Sequence, residues 1–247
     1  MSISPASTSS SSRSQSAEPS AGHRDETIAV FDLDGTVTTR DTTAAYLAGF
    51  LREHPRRLLN CAPLAASAAG FAAGFVGNAE MKRAAVYAIL RGAGWEEIAR
   101  WTERFVAWCL GALIRPEARS HIEAHARAGH RLILASASLD LHVEPIARTL
   151  GFNDVICTKV AWTSDRRISG ELDGDNIRGD KKLAAVQRAV AAAESAPRSA
   201  VVIAYSDHHA DLPLLRWADQ AVAVNPTRRL AATAAVEGIP VEDWGRP

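Results

Sequence analysis

This chain of 247 residues lacks an excess of charge of either sign. Lys and Arg number 28 and Asp and Glu 28, so the formal net charge at pH 7 is zero. A general nucleic-acid binder needs surplus cations to face phosphates, so no nucleic-acid partner is expected. Cysteine is scarce too: Cys61, Cys109 and Cys157 stand far apart, with no CxxC pair. They fit neither a disulfide framework nor a zinc ribbon, and predict a reducing, cytoplasmic setting. Long runs of Leu and Ile are also missing. The length suits one large domain carrying an insertion, enough to bury a sizeable core.

Residues 1–26 are rich in Ser and almost devoid of large apolar side chains. Such a segment cannot bury enough surface to offset ordering entropy and is expected to be a disordered leader. It has no apolar stretch of the kind a secretory signal uses. Beyond it, apolar runs of strand length alternate with helical patterns. The strand candidates are Thr27–Leu33, Arg131–Ala135, Val155–Thr158, Ala200–Tyr205 and Ala221–Val224. Helices are expected over Pro116–Gly129, Leu139–Leu150, Lys181–Ala193 and Leu212–Ala218, and a β-hairpin over Val160–Leu172, turning at Ser164–Arg166. The alternation predicts an α/β protein with a doubly wound parallel sheet.

One stretch breaks the alternation. Residues 42–113 contain no strand candidate, while Ile98, Trp101, Phe105 and Trp108 follow helical spacing. They are expected to form an inserted helical module, leaving 27–41 and 114–247 as the sheet domain. Within the module Leu58–Val76 is nearly uncharged and about as long as a membrane span. Its hydropathy rests on Ala, so the expectation is a buried helical hairpin, with peripheral membrane contact as the alternative.

The first strand candidate ends in Phe31-Asp32-Leu33-Asp34-Gly35-Thr36. Asp-Gly alone is a common turn, but a turn does not account for Asp32 behind an apolar run. Ligands of doubly wound sheets bind outside the carboxyl ends of strands, and two carboxylates this close need a cation or a shared proton. Other strand ends carry matching chemistry. Ser136 follows the second strand with a hydroxyl able to hold an anion. Ser138 reads as the N-cap of the next helix and is left out of the site. Asp207 follows the fourth strand and suits a hard cation. Asp211 is either a helix N-cap or a site residue. Lys182 opens a helix, where a cation opposes the macrodipole unless a phosphate is bound there; Lys181 is its rival.

Taken in order, FDLDGTVT, SAS, GDKK and YSDHHADLPLL resemble the four motifs of haloacid-dehalogenase-superfamily phosphatases. The likeness covers nearly the whole chain from Thr27, and the helical insertion resembles the cap of the phosphoserine-phosphatase-like branch. The resemblance implies that Asp32 is the nucleophile, forming an aspartyl-phosphate, and that Asp34 protonates the leaving oxygen and then activates water. It implies Mg²⁺ held by Asp32, the Asp34 carbonyl and Asp207, with Asp211 supporting, and phosphoryl oxygens held by Ser136 and Lys182. An acid at Asp34 favours phosphomonoester hydrolysis over dehalogenation, since a halide needs no proton to leave.

Two departures bear on the substrate. Where the phosphoserine enzymes carry a Glu this chain has Asp41, itself a plausible helix N-cap. Val86 stands where their cap Arg grips a carboxylate, with Lys82 and Arg83 one turn earlier. His208 and His209 occupy places usually filled by small residues, and are expected to be supporting or surface histidines. The lost cap Arg and the apolar cap segment favour a lipid-linked phosphate such as phosphatidylglycerophosphate. Phosphoserine or another small phosphomonoester is the alternative, and a catalytically silent binding protein on the same fold is a third reading.

Overall fold

The computed structural model describes residues 26–193 and 200–245. The leader expected over residues 1–26 therefore lies, save Glu26, outside the described residues.

The first strand, β1 (Thr27–Phe31), is a β-branched and aromatic run buried from Ile28 onward. Five α-helices follow before the next strand, the first four being α1 (Thr42–Glu53), α2 (Ala62–Ala72), α3 (Asn78–Leu90) and α4 (Trp95–Ala112). Asp41 starts α1, its Oδ1 accepting from Ala44 N at 2.8 Å. Glu80 and Glu97 cap α3 and α4 by reaching back to the Gly77 and Gly94 amides. The chain then runs through α5 (Pro116–Arg127), β2 (Arg131–Leu139), α6 (Asp140–Leu150), β3 (Asp154–Trp162) and β4 (Ile168–Asp173). It closes with α7 (Asp180–Ala193), β5 (Val201–Ser206), α8 (Leu212–Trp217), β6 (Gln220–Val224), α9 (Arg228–Glu237) and β7 (Val241–Glu242).

The seven strands lie in the order β4-β3-β2-β1-β5-β6-β7, and all neighbours are parallel except β3 and β4. Side chains alternate between two cores, as strand period demands. Ile28 and Val30 of β1 join Ile133 and Ala135 of β2 against Val186, Leu215 and Leu230 of α7, α8 and α9. Ala29, Phe31, Leu132 and Leu134 face the opposite core, which continues through Ile122, Val143 and Ile146 into the inserted helices. This is an α/β doubly wound sheet with an inserted helical cap. β1 lies between β2 and β5, where the winding reverses, so the carboxyl ends of β1 and β5 open a crevice.

Several expectations need correction. β2 does not break at Ala135 but continues to Leu139, its register against β3 shifting between Ala135 and Leu139. Leu139, not Ser138, occupies the N-cap position of α6. The third strand and the first arm of the hairpin are a single strand, β3, which pairs antiparallel with β4. The largest correction concerns Leu58–Val76, which is a 3-10 turn (Pro55–Asn60) followed by α2, with no residue of either fully buried. Leu59 is 86% and Phe75 88% exposed, and Leu58 and Phe71 are also on the surface. An Ala-rich helix has few bulky side chains to anchor a face, and here Cys61 and Leu64 alone pack partly against the core. Among the described residues no helix is long and apolar enough to cross a membrane.

Candidate active site

A cavity of about 670 Å³ opens at the strand ends, walled by the segment after β1, the end of β2, the start of α7, the loop after β5 and helices α1 and α3. Asp32 and Asp34 line it with Lys182, Asp207 and Asp211. Lys182 is 2% exposed and donates to Asp32 Oδ1 and to Asp211 Oδ2, each at 2.7 Å. Of the two lysines it is Lys182 that reaches the cavity, whereas Lys181 is exposed and pairs with Asp175 at 2.5 Å. Asp211 sits at the N-cap position of α8 but makes no capping bond; its Oδ2 also accepts from Ser206 Oγ at 2.8 Å.

Asp34 faces the inserted helices. Its Oδ1 accepts from Thr42 N at 2.7 Å and from Thr42 Oγ1 at 2.6 Å, at the first residue of α1, and its Oδ2 accepts from Ser138 Oγ. The positive end of the α1 macrodipole points at this carboxylate. Thr42 Oγ1 also lies 3.0 Å from His142 Nε2, and Thr43 Oγ1 donates to Ser138 at 2.7 Å.

Ser136 is fully buried, and its Oγ accepts from Ser138 N at 3.0 Å. The adjacent Ala137 and Ser138 line the cavity instead. Asp41 caps α1 and lines the cavity as well. His208 lines it too, capping the following turn with Nδ1, which accepts from Ala210 N at 2.9 Å. His209 is not among the lining residues.

Sequence reasoning left Thr42, Ser138 and Arg178 out of the site and named Lys82 only as a neighbour of the place of the lost cap Arg. Thr42 had a weak signal, a hydroxyl directly after a helix N-cap. Lys82 and Arg178 lay outside the strand-end pattern, because folding alone brings them to the cavity.

Burial governs the electrostatics. It pushes Asp32 well above the ordinary carboxylate range; the Lys182 ammonium opposes this, while Asp211, Asp207 and Asp34 add to it. Burial likewise raises Asp34, helped by Asp41 and opposed by Ser138 and Thr42. Asp207 is pushed up to about 7, first by burial and then by Asp211. Burial alone would lower Lys182, but Asp211 and Asp32 outweigh it and hold the ammonium charged. Lys182 thus faces several crowded carboxylates, an arrangement that a metal cation relieves.

The residues fit such a cation. Asp207 Oδ1 is buried without a hydrogen-bond partner. A Cβ on Gly35 would stand 2.3 Å from Asp207 Oδ2, so only glycine allows this carboxylate so close to the β1 loop. Among the described residues no three Asp, Glu, His or Cys side chains form a complete ligand set. The available donors are oxygens, which suit a hard divalent ion such as Mg²⁺ rather than zinc.

A doubly wound sheet with carboxylates and a buried lysine at its switch point, under a helical cap, defines a hydrolase class. The chain matches the haloacid dehalogenase-like hydrolase family over residues 29–216 and belongs to it. It is similar to a probable phosphatase of Mycobacterium tuberculosis, 33% identical over 229 residues, 91% of this chain and 77% of the relative. A protein of unknown function from Bordetella pertussis Tohama I shares the fold at TM-score 0.77 and 24% identity, covering 89% of this chain and 99% of that one. A substrate-bound phosphoserine phosphatase shares it at TM-score 0.62 and 15% identity, covering 88% and 93%. The family and the named relatives make the chain a phosphoric monoester hydrolase, on a fold that it shares with phosphoserine phosphatases.

Proposed function

We propose that the chain hydrolyses phosphomonoesters through an aspartyl-phosphate on Asp32, with Mg²⁺ as cofactor. The observation that carries this reading is the buried Asp32–Lys182–Asp211 chain beside the unpartnered Asp207 oxygen. The Asp32 and Asp207 carboxylates and the Asp34 carbonyl would hold Mg²⁺, with Asp211 supporting. The ion supplies charge neutralisation, without which a carboxylate and a phosphate dianion repel.

Asp32 Oδ attacks phosphorus, and the ester P–O bond breaks as the new one forms. Asp34 gives its proton to the leaving oxygen, a role its raised pKa supports. It then takes a proton from the water that attacks the aspartyl-phosphate, which releases inorganic phosphate and restores Asp32. Lys182 holds a phosphoryl oxygen, while Ser136, buried behind the cavity wall, acts through Ser138, whose amide donates to its hydroxyl oxygen. The cap over 42–113 screens the site and selects the leaving group.

The exposed Leu58, Leu59, Phe71 and Phe75 favour a second, narrower reading: a lipid-linked phosphomonoester met at a membrane surface. A small soluble phosphomonoester is its rival.

The test uses para-nitrophenyl phosphate and phosphatidylglycerophosphate, the latter with and without liposomes. Hydrolysis is expected to require Mg²⁺, to stop with chelator and to fall at least 10³-fold in Asp32→Asn. Activity retained in that variant overturns the nucleophile assignment. Phosphatidylglycerophosphate turned over no faster on liposomes than in dispersed form overturns the lipid reading alone.

A further inference from the structure

Besides the exposed Arg40 at its rim, the cavity holds two cations that the reaction above leaves unused. Lys82, on α3 of the cap, donates from Nζ to the Ala137 carbonyl and to Asn176 Oδ1 at 2.6 Å. Arg178, in the loop before α7, has the His208 ring as its hydrogen-bond partner among the described residues, at 3.3 Å from Nη2. Both line the cavity that holds Asp32 and Asp34. Every hydrogen-bond partner of either side chain among the described residues is neutral, unlike Lys182, which spans two carboxylates.

Asp34 and Asp41 favour the charged form of Lys82, yet among the described residues neither Lys82 nor Arg178 forms an ion pair, so two like charges face one space with no carboxylate in direct contact, which is costly. Burial already draws Lys82 down to about 8, and Arg178 and Lys182 depress it further, although Asp34 and Asp41 oppose this. The cost falls if an anion enters between them. The attacked phosphoryl group is accounted for by Asp32 and Lys182, so this anion belongs to another part of the substrate. Asn176 fixes the placing: it accepts from Lys82 and donates from Nδ2 to Asn78 Oδ1 at 3.0 Å, tying the cap to the Arg178 loop.

Resting on the phosphatase reading, we propose that Lys82 and Arg178 form a second anion subsite on the leaving-group side. The preferred substrates are then phosphomonoesters that carry another anionic group, a carboxylate or a second phosphate. One subsite cation comes from the cap and the other from the core, so a doubly anionic substrate bridges the two.

Matched substrate pairs test this. One is 3-phosphoglycerate against glycerol 3-phosphate; the other is 1,3-propanediol bisphosphate against 3-hydroxypropyl phosphate. At least one charged member is expected to exceed its neutral partner tenfold in kcat/KM, mostly through KM. Lys82→Met and Arg178→Gln should each shrink that ratio at least fivefold, and Lys82→Arg should restore it. The ratio is read because partial misfolding lowers both members alike. Ratios below twofold for both pairs, or ratios unmoved in both variants, overturn the subsite; the pair that responds identifies the anion. Calorimetric titration of the full chain with 3-phosphoglycerate and with glycerol 3-phosphate reads the subsite without turnover. Tighter binding of 3-phosphoglycerate supports it even if no substrate is hydrolysed, a result that would sink the phosphatase reading alone. Equal binding of the two overturns it.

Discussion

Gly35 shows how much one residue settles at this site. Its φ of +83° lies in the left-handed region, and its missing Cβ leaves room for the Asp207 carboxylate. An alanine there would cost roughly 1–3 kcal/mol in backbone strain and push Asp207 from its place. Gly35→Ala is therefore expected to raise the Mg²⁺ concentration for half-maximal activity at least tenfold, measured by titrating activity against metal. An unchanged metal requirement would show that Asp207 does not depend on this close approach. Asp32, Asp34, Asp207 and Lys182 are legible in the sequence because each follows a buried strand or opens a helix, positions where charge is otherwise unfavourable. Thr42 and Ser138 are not. Their hydroxyls are unremarkable in sequence, and their partner Asp34 lies 8 and 104 residues away.

Among the helices, the packing of α1 on α4 is the tightest constraint on the cap. A Cβ on Gly49 would come 2.5 Å from Trp101 Cη2, and that ring is flanked by Tyr46, Phe50 and Phe105 at centroid distances of 5.8, 6.3 and 5.9 Å. Gly→Ala in a helix normally gains roughly 0.5–1 kcal/mol, whereas overpacking a filled core costs about 1–3 kcal/mol. The second effect is larger, so Gly49→Ala should lower stability in urea unfolding by about 1–2 kcal/mol. A gain in stability would mean that Trp101 can move aside. The stripe of Ile98, Trp101 and Phe105 is visible as helical periodicity, and all three are buried. The exposure of α2 is not, because hydropathy reports how apolar a segment is and not whether anything covers it. An apolar segment of small side chains reads as core while offering little to anchor it.

The molecule as a whole carries a buried titration. His142 is fully buried between cap and core, stacked on Tyr46 at 5.0 Å and 3.0 Å from Thr42 Oγ1. Burial, with a smaller push from Lys82, lowers its pKa to about 3 from an ordinary 6.5. Between those values the unfolded chain binds a proton that the folded chain refuses, so stability falls as pH falls. This one group contributes a slope approaching ~1.4 kcal/mol per pH unit. Buried carboxyls such as Asp207, raised to about 7, and Asp140, raised to about 6, act with the opposite sign, so the His142 slope is read as the pH dependence of the stability difference between the unchanged protein and His142→Gln in urea unfolding at pH 7, 5.5 and 4.5. Identical slopes in the two proteins would assign the acid sensitivity elsewhere. The doubly wound class is readable from alternating strands and helices, because buried parallel strands announce themselves as apolar runs. Strand lengths are less so, because β2 runs on through polar Ser136 and Ser138, which the neighbouring elements enclose.

The Lys182–Asp32 contact joins residues 150 apart in the chain. During synthesis Asp32 leaves the ribosome long before Lys182 exists, and for that interval its carboxylate lacks this partner. Closing so wide a loop makes the reactive centre a late product of folding. A chain cut short before α7 would carry both motif aspartates and the whole cap, yet have no lysine to set against Asp32. Acquisition of activity should therefore trail the appearance of helical structure in refolding, making catalysis a sensitive clock for the final docking of the carboxyl-terminal half.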